Sequence, residues 1–160
     1  DAVLILVGQK LGEGKIETAY NMSKKLLKIG IAVGVILGLS IIAAGEPVLS
    51  LFGFSETGQM YASKILIVYG ATLWLSLYNA MQVTGTLRCG GDTKFAMYAE
   101  TGTVWLIGVP LAFITSLYLH WPIYFAVLAV KFEDVVKSFF VTKRYFSKKW
   151  LKNVINDIDV

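Results

Sequence analysis

The feature that most constrains the fold is a run of 23 residues, 65–87, that contains no charged side chain. At a rise of about 1.5 Å per residue, a helix of this length crosses the roughly 30 Å hydrocarbon core of a bilayer. A second uncharged run covers 30 residues, 101–130. Because these runs lie in the middle and toward the end of the chain, an N-terminal signal peptide does not explain them. Only 16% of the residues are charged, against about 25% in soluble domains. The sequence therefore predicts an all-α integral membrane protein, a polytopic helical bundle.

Hydropathy predicts four full spans and the end of a fifth helix. The second uncharged run is too long for one span, and Leu119–Pro122 (LHWP) is the predicted break, because Pro favours the first turn of a helix over its interior. The chain opens at Asp1 rather than Met, so we expect a piece of a longer protein. The partial helix covers 2–9, the spans lie near 26–45, 62–87, 95–118 and 122–146, and a tail covers 147–160.

Lys and Arg are unevenly divided among the loops. The segment 10–28 carries five lysines, 88–94 carries one Arg and one Lys, and five basic residues follow from Lys143 onward. The alternate loops, 46–59 and 119–122, carry none. Since basic loops stay in the cytoplasm, we expect the three basic segments, including the C-terminal tail, on the cytoplasmic side of the plasma (inner) membrane.

Charge and cysteine usage exclude several classes of function. The net charge is +4, but apolar runs separate the basic residues, so the sequence does not predict a nucleic-acid-binding surface. Cys89 is the only cysteine and His120 the only histidine, which leaves no metal-ligand spacing. A membrane-embedded enzyme would need clustered Asp or His, whereas Asp92 is the only aspartate of the basic loops before the tail. We expect no catalytic residue, no metal and no cofactor.

The segment RCGGDTK, 88–94, predicts a tight turn between two membrane helices. Gly90 and Gly91 permit a positive φ and a helix C-terminal cap. Arg88 lies in the last turn of the first helix, where a cation complements the helix dipole. Asp92 is placed to cap the amides of the following helix.

Four motifs, in this order, resemble those of the multidrug and toxic compound extrusion (MATE) transporters. GTLRCGGDT is similar to the signature turn of that family, although Cys89 stands where a Gly is common. The resemblance covers nearly the whole chain and corresponds to the C-terminal half of such a transporter. The motifs are VGQKLGEGKIETA (7–19), GTLRCGGDT (85–93), IGVPLAF (107–113) and EDVVKSFF…RYFSKKW (133–150).

The resemblance implies a two-lobed exporter of twelve helices, to which this chain contributes the end of helix eight and helices nine to twelve. It implies a secondary antiporter that exports organic, mostly cationic compounds in exchange for Na+ or H+ by alternating access. Its partners would be the bilayer, small organic substrates and an N-terminal lobe of the same protein, without which we expect no transport. The alternatives are a flippase for lipid-linked oligosaccharides, which would lack the LRCGGDT turn, and a membrane-embedded lipid-modifying enzyme. Within the signature turn, a structural or gating role falls to Gly85, Arg88, Gly90, Gly91 and Asp92.

Five polar side chains fall within about 120° of arc on the span 62–87. Two interpretations stay open: hydrogen bonds between helices, or the wall of a cavity or cation site. In the sodium-coupled branch of the resembling family an Asp stands at the position of Asn79. Since an amide does not titrate, we expect Asn79 to be a neutral cavity wall, and the coupling ion to bind mainly outside this chain. The stripe consists of Thr72, Ser76, Asn79, Gln82 and Thr86.

The last span carries four charges that cancel, Lys131, Glu133, Asp134 and Lys137. Glu133 and Lys137 are spaced i,i+4, and Lys131 and Asp134 i,i+3, so the pattern predicts an internal salt-bridge network. Direct handling of protons or substrate is the alternative, and the resembling family has an acid near Asp134. Pro110 lies within the preceding span and predicts a kink, which is either a bending point or a static feature.

Overall fold

The computed structural model describes residues 2–151, which form five helices joined by short turns. The helices are α1 (Ala2–Gly12), α2 (Ile16–Ser50), α3 (Glu56–Leu87), α4 (Thr93–Tyr118) and α5 (Ile123–Phe146). Residues 2–151 contain no β-strand. By length and composition, α2, α3 and α4 can each cross a membrane. The chain is therefore an all-α, multi-pass membrane protein, as its uncharged runs predict.

α5 differs from the other long helices in its charge. Its 24 residues are long enough to span, at about 36 Å. However, Lys131, Glu133, Asp134 and Lys137 all lie within its first 18 residues, and α5 is not among the helices apolar enough by composition. The span near 122–146 stays a prediction, as does the cytoplasmic tail, of which 152–160 lie outside the described residues.

α2 extends beyond the predicted span 26–45 at both ends. It begins at Ile16 and ends at Ser50, with Pro47 in its last turn. Hydropathy locates only the part of a helix that lies in hydrocarbon, whereas the first turns of α2 are amphipathic. Ala19, Ser23 and Leu27, spaced by four residues, are buried there. The loop between α2 and α3 is accordingly short.

α2 and α3 pack against each other through glycines. Gly34 and Gly38 lie four residues apart on one face of α2. A Cβ atom on Gly38 would lie 2.2 Å from the Gly70 carbonyl oxygen, and one on Gly34 would lie 2.6 Å from Trp74 Cα. Only glycine allows such an approach, and small residues commonly hold membrane helices together in this way.

Aromatic residues close the end of the bundle at which α3 ends and α4 begins. Trp150 is fully buried and stacks on Tyr145, which in turn stacks on Tyr20 of α2, with ring centroids 5.5 and 5.6 Å apart. The indole Nε1 of Trp150 donates to the Tyr145 carbonyl at 3.0 Å. The Tyr145 hydroxyl lies 2.7 Å from Ser23 Oγ. The segment after α5 is thus fixed against α2 and the turn 88–92.

Three segments of the long helices are π-helical. Met81–Leu87 forms the end of α3, while Val104–Gly108 and Ile114–Tyr118 lie on either side of Pro110 in α4. Before this proline, which lacks an N–H, the Val109 amide donates to the Val104 carbonyl, an i→i−5 bond. Such segments often occur at functional sites. The role of Pro110 as a bending point stays a prediction.

Candidate functional site: buried polar networks between helices

The carboxylate of Asp134 is the centre of a buried network between α5 and α3. The residue is 7% exposed. Ser76 Oγ donates to Asp134 Oδ2 at 2.7 Å. Asn79 Nδ2 donates to the Asp134 carbonyl oxygen at 2.8 Å and to Oδ1 at 3.3 Å. With Lys131, these three residues form what we call the Asp134 network.

Lys131 supplies the positive charge of the Asp134 network. Its Nζ lies 3.1 Å from Asp134 Oδ2 and donates to Ser76 Oγ at the same distance. The ammonium also lies 5.0 Å from the centre of the Tyr69 ring, within range of a cation–π interaction. Because a buried carboxylate is costly without a partner, Lys131 and the two α3 donors together stabilise it.

Asn79 brings an unsatisfied acceptor to this network. The residue is 3% exposed, and its Oδ1 has no hydrogen-bond partner among residues 2–151. Among the described residues 2–151, it is the one buried side-chain nitrogen or oxygen atom without a hydrogen-bond partner. A buried acceptor without a donor costs about 1–3 kcal/mol. The side chain thus holds an oxygen available to a donor or a cation, next to a carboxylate.

A second pair of charges on α5 faces α4. Lys137 Nζ lies 2.8 Å from Glu133 Oε1, to which Thr103 Oγ1 also donates. Glu100 lies 4.0 Å from Lys137. The predicted single network is therefore two separate pairs, one toward α3 and one toward α4, since the adjacent residues Glu133 and Asp134 project about 100° apart around a helix.

The rest of the α3 stripe bonds elsewhere. Gln82 Nε2 donates to the Tyr78 hydroxyl at 2.8 Å, and that hydroxyl lies 2.7 Å from Thr142 Oγ1 on α5. Thr86 donates to the Gln82 carbonyl at 2.9 Å, and Thr72 bonds to its own helix. Gln82 and Thr86 are fully buried within the bundle. Their bonds are those of helix packing, and a cavity-lining role stays a prediction.

Tyr78 and Thr142 were missed by the sequence analysis. The spacing of four between Tyr78 and Gln82 is a signal for contact on one helix face. Nothing comparable in the sequence connects Tyr78 to Thr142, which lies 64 positions further along the chain.

The predicted capping role of Asp92 is wrong. Asp92 occupies the N-cap position of α4, but its side chain makes no capping bond. Both carboxylate oxygens instead bind Arg144, with Nε–Oδ2 at 2.5 Å and Nη2–Oδ1 at 3.1 Å. A charged, bidentate bond to guanidinium is stronger than a bond to a neutral amide, which explains why the side chain turns toward α5.

The two glycines of the turn have different structural reasons. Gly91 has a φ of +79°, the left-handed conformation expected of a helix end. A Cβ on Gly90 would lie 1.6 Å from the Trp150 carbonyl oxygen, so this position needs glycine for the close approach. Gly85 faces Val3 of α1 in the same manner, at 2.8 Å. Arg88 is exposed, and a gating role for the turn stays a prediction.

Residues 2–151 contain no group of three His, Cys, Asp or Glu residues that could hold a metal ion. Oxygen atoms of the Asp134 network nevertheless converge inside the bundle, and hard cations prefer such ligands. The Asp134 network thus combines a buried carboxylate with further oxygen atoms of Ser76 and Asn79.

Comparison with known proteins identifies related chains. The MatE family model matches residues 2–114. The chain is 22% identical over 150 residues to "Uncharacterized transporter YisQ" of Bacillus subtilis, which covers 92% of this chain and 32% of that protein. It is 29% identical over 114 residues to "Probable multidrug resistance protein NorM" of Pasteurella multocida, a match that covers 70% of this chain and 24% of that protein. It is 25% identical over 118 residues to "Multidrug resistance protein MdtK" of Pectobacterium atrosepticum, covering 72% and 25%.

No solved structure matches the chain. The chain spans about a quarter to a third of the length of these curated relatives.

Proposed function

The chain belongs to the MatE family of transporters, and on this basis we propose that it is part of a secondary active antiporter. The antiporter exports organic, mostly cationic compounds in exchange for Na+ or H+ by alternating access. The names of two relatives, both multidrug resistance proteins, support export of such compounds. We place the protein in the plasma membrane, with a further lobe completing the substrate cavity. Since the family consists of transporters, no enzymatic activity is assigned.

The observation that carries the proposal is the buried Asp134 carboxylate on α5, packed against α3, which is long and apolar enough to span a membrane. Burying an ionisable side chain among membrane helices costs free energy, so such a residue is by default a candidate for a functional role. Ser76, Asn79 and Lys131 all bond to Asp134. A proton or Na+ that reaches Asp134 competes with Lys131 for Oδ2. The unpaired Oδ1 of Asn79 belongs to the same amide that donates to Asp134.

Competition at Asp134 gives a physical route from ion binding to movement. The bonds from Ser76 and Asn79 to Asp134 tie α3 to α5. A cation on the carboxylate weakens these bonds and frees Lys131. Ion binding therefore weakens the contact between α3 and α5. A ligand that weakens a contact made in one conformation shifts the equilibrium toward the other conformation, and coupling requires such a shift.

This proposal places a coupling carboxylate on α5, next to the amide that stands at position 79. The sequence analysis expects coupling to depend on an acid outside the chain, with Asn79 as a neutral wall. The two hypotheses predict different results for substitution of Asp134.

We expect Asp134→Asn to abolish ion-driven efflux while leaving substrate binding in place. The measurement is efflux of a fluorescent organic cation from proteoliposomes that contain the full-length protein, under a Na+ or pH gradient, with equilibrium substrate binding measured separately. In equilibrium binding, the change in substrate affinity that the ion causes in the unchanged protein, about 5- to 150-fold for coupled sites, should be absent from Asp134→Asn. Glu100→Gln is the matched control, since Glu100 also lies near a lysine but its side chain is 47% exposed and the pair is 4.0 Å apart.

Equal efflux by Asp134→Asn and Glu100→Gln would show that Asp134 does not couple ion binding to transport. Asn79→Ala separates the roles further. Loss of ion dependence with retained substrate binding would make Asn79 part of the coupling site, whereas an altered substrate range alone would leave it a cavity wall.

A further inference from the structure

An apolar groove of about 430 Å³ lies between α4 and α5. Gly102 and Leu106 of α4 and Phe140 of α5 line it, and no charged side chain does. Leu106 is 79% exposed and Phe140 50% exposed, so the groove is open along the bundle. Its volume is in the range of small-molecule sites.

The groove continues into a basic pocket of about 210 Å³. The two share Phe95 and Phe140, and the basic pocket adds Lys143, Lys149 and Ser147, together with Arg144. Arg144 is engaged by Asp92. No carboxylate of residues 2–151 lies within 4 Å of Lys143 or Lys149. Two ammonium groups are thus available to an anion at one end of an apolar groove.

The length and position of the groove fit one leaflet of a bilayer. From Phe95 to Ile107 it follows thirteen residues of α4, about 18 Å of helix. Half of the hydrocarbon core is about 15 Å thick. The basic end lies where α4 begins and α5 ends, and the end of a membrane-spanning helix is where head groups are expected. Apolar length and positive charge therefore lie where the acyl chain and the phosphate of a lipid would.

We propose that the groove between α4 and α5 is a binding site for one anionic phospholipid. An acyl chain lies along Gly102 and Leu106, and the phosphate binds Lys143 and Lys149. Basic pockets between membrane helices recognise anionic head groups. A zwitterionic lipid fits the same groove but lacks the net charge that two lysines favour. This inference does not depend on the proposed ion coupling.

The apolar half of the site is tested by filling the groove. Gly102 lines the groove, and a Cβ at this position meets no atom within 4 Å, so Gly102→Leu is the variant chosen to fill it. Thr101→Leu adds the same side chain at the exposed neighbouring position, which does not line the groove. Native mass spectrometry of the purified protein in detergent micelles measures retention of added phosphatidylglycerol and of phosphatidylcholine with the same acyl chains. We expect Gly102→Leu to lose both lipids and Thr101→Leu to retain them.

The charged half is tested by the double substitution Lys143→Gln and Lys149→Gln. Preference for phosphatidylglycerol falls by about fivefold for each lysine, while retention of phosphatidylcholine is unchanged. The control is Lys25→Gln with Lys28→Gln, two exposed lysines of α2. Equal retention of both lipids by the unchanged protein, or no difference between either variant and its control, would overturn the proposal. A dimer that only Gly102→Leu disrupts would identify a second copy as the occupant and overturn it as well.

Discussion

Asp92 and Arg144 form a bidentate ion pair that ties the turn after α3 to the end of α5. Both side chains are largely shielded, at 14% and 28% exposure. The guanidinium also lies 5.0 Å from the centre of the Phe95 ring. Planar recognition of a carboxylate and stacking on an aromatic face are properties of Arg that Lys does not share. The pair therefore fixes the turn more specifically than a capping bond would.

Asp92→Asn distinguishes the ion pair from a cap. Asn caps helices about as well as Asp, so a capping role predicts no loss of stability. The ion pair predicts a loss of about 1.5–3 kcal/mol, the value of hydrogen bonds to charged groups. The measurement is thermal unfolding in detergent, monitored through the rate at which a thiol reagent labels Cys89. Burial raises the pKa of the Cys89 thiol to about 12, and labelling requires the thiolate, so we expect faster labelling once the protein unfolds.

Arg144→Lys is the companion variant for this prediction. It keeps the positive charge but loses the planar guanidinium that binds both carboxylate oxygens. It should therefore destabilise the protein nearly as much as Asp92→Asn, and the double variant should lose little further stability. If Asp92→Asn is as stable as the unchanged protein while Asp92→Ala is not, the capping interpretation is right after all.

Single-residue roles were predictable where both partners lie on one helix. The i,i+3 and i,i+4 spacings on α5 indicate the pairs Lys131–Asp134 and Glu133–Lys137, and both pairs are present. The partners of Asp134 on α3 were not predictable, because spacing along one helix contains no information about the face of another. The same limit hid the bond between Asp92 and Arg144.

At the scale of helices, the seam between α2 and α3 depends on glycines spaced by four residues. The sequence contains the signal, since Gly30, Gly34 and Gly38 form a double GxxxG pattern in an apolar segment, a known packing face. The neighbouring atoms differ along the seam. A Cβ on Gly30 would meet the flexible end of Met81, whereas one on Gly38 would meet the backbone of Gly70.

Gly38→Ala should therefore destabilise the bundle more than Gly30→Ala. The Gly70 carbonyl cannot move without shifting α3, and overpacking of this kind costs about 1–3 kcal/mol. Met81 can change rotamer, so Gly30→Ala should cost less than 1 kcal/mol or gain from the higher helix propensity of Ala, by at most about 1 kcal/mol. Thermal unfolding followed at Cys89 compares the two. Equal melting temperatures would show that the seam opens easily.

The π-helical end of α3 explains why the polar stripe does not act as one surface. The stripe was placed with about 100° per residue, which holds for an α-helix. From Met81 to Leu87 the backbone is π-helical, so each residue turns the helix by a smaller angle. Asn79 lies before this segment and faces Asp134, whereas Gln82 and Thr86 lie within it and bond to Tyr78 and to each other. Hydropathy contains no signal for such a change in winding.

Packed side chains close one end of the bundle, whereas the other end consists of short connections between helices. The turn 88–92 packs against Trp150, and Tyr145 joins α5 to α2 at the same end. The opposite end holds the short loop after α2 and the break between α4 and α5. The membrane fold class followed from the uncharged runs alone, because hydrocarbon demands long apolar helices. The closed end did not, since it depends on contacts between residues far apart in sequence.

The positions of Ser55 and Lys148 turn the predicted orientation into a labelling experiment. Ser55 is the N-cap of α3, while Lys148 lies 5.0 Å from the centre of the Tyr20 ring, beside the closed end. At about 1.5 Å per residue, the 32 residues of α3 separate the two ends by about 48 Å.

Single cysteines at these positions, Ser55→Cys and Lys148→Cys, are made on a Cys89→Ser background and probed in intact cells with a membrane-impermeant maleimide. Because the basic loops all lie at the end of Lys148, Ser55→Cys should label from outside, and Lys148→Cys only after the cells are permeabilised. Labelling of Lys148→Cys alone in intact cells would reverse the orientation. Labelling of both in intact cells would mean an even number of crossings between the two positions, and would contradict the predicted set of three spans, α3, α4 and α5.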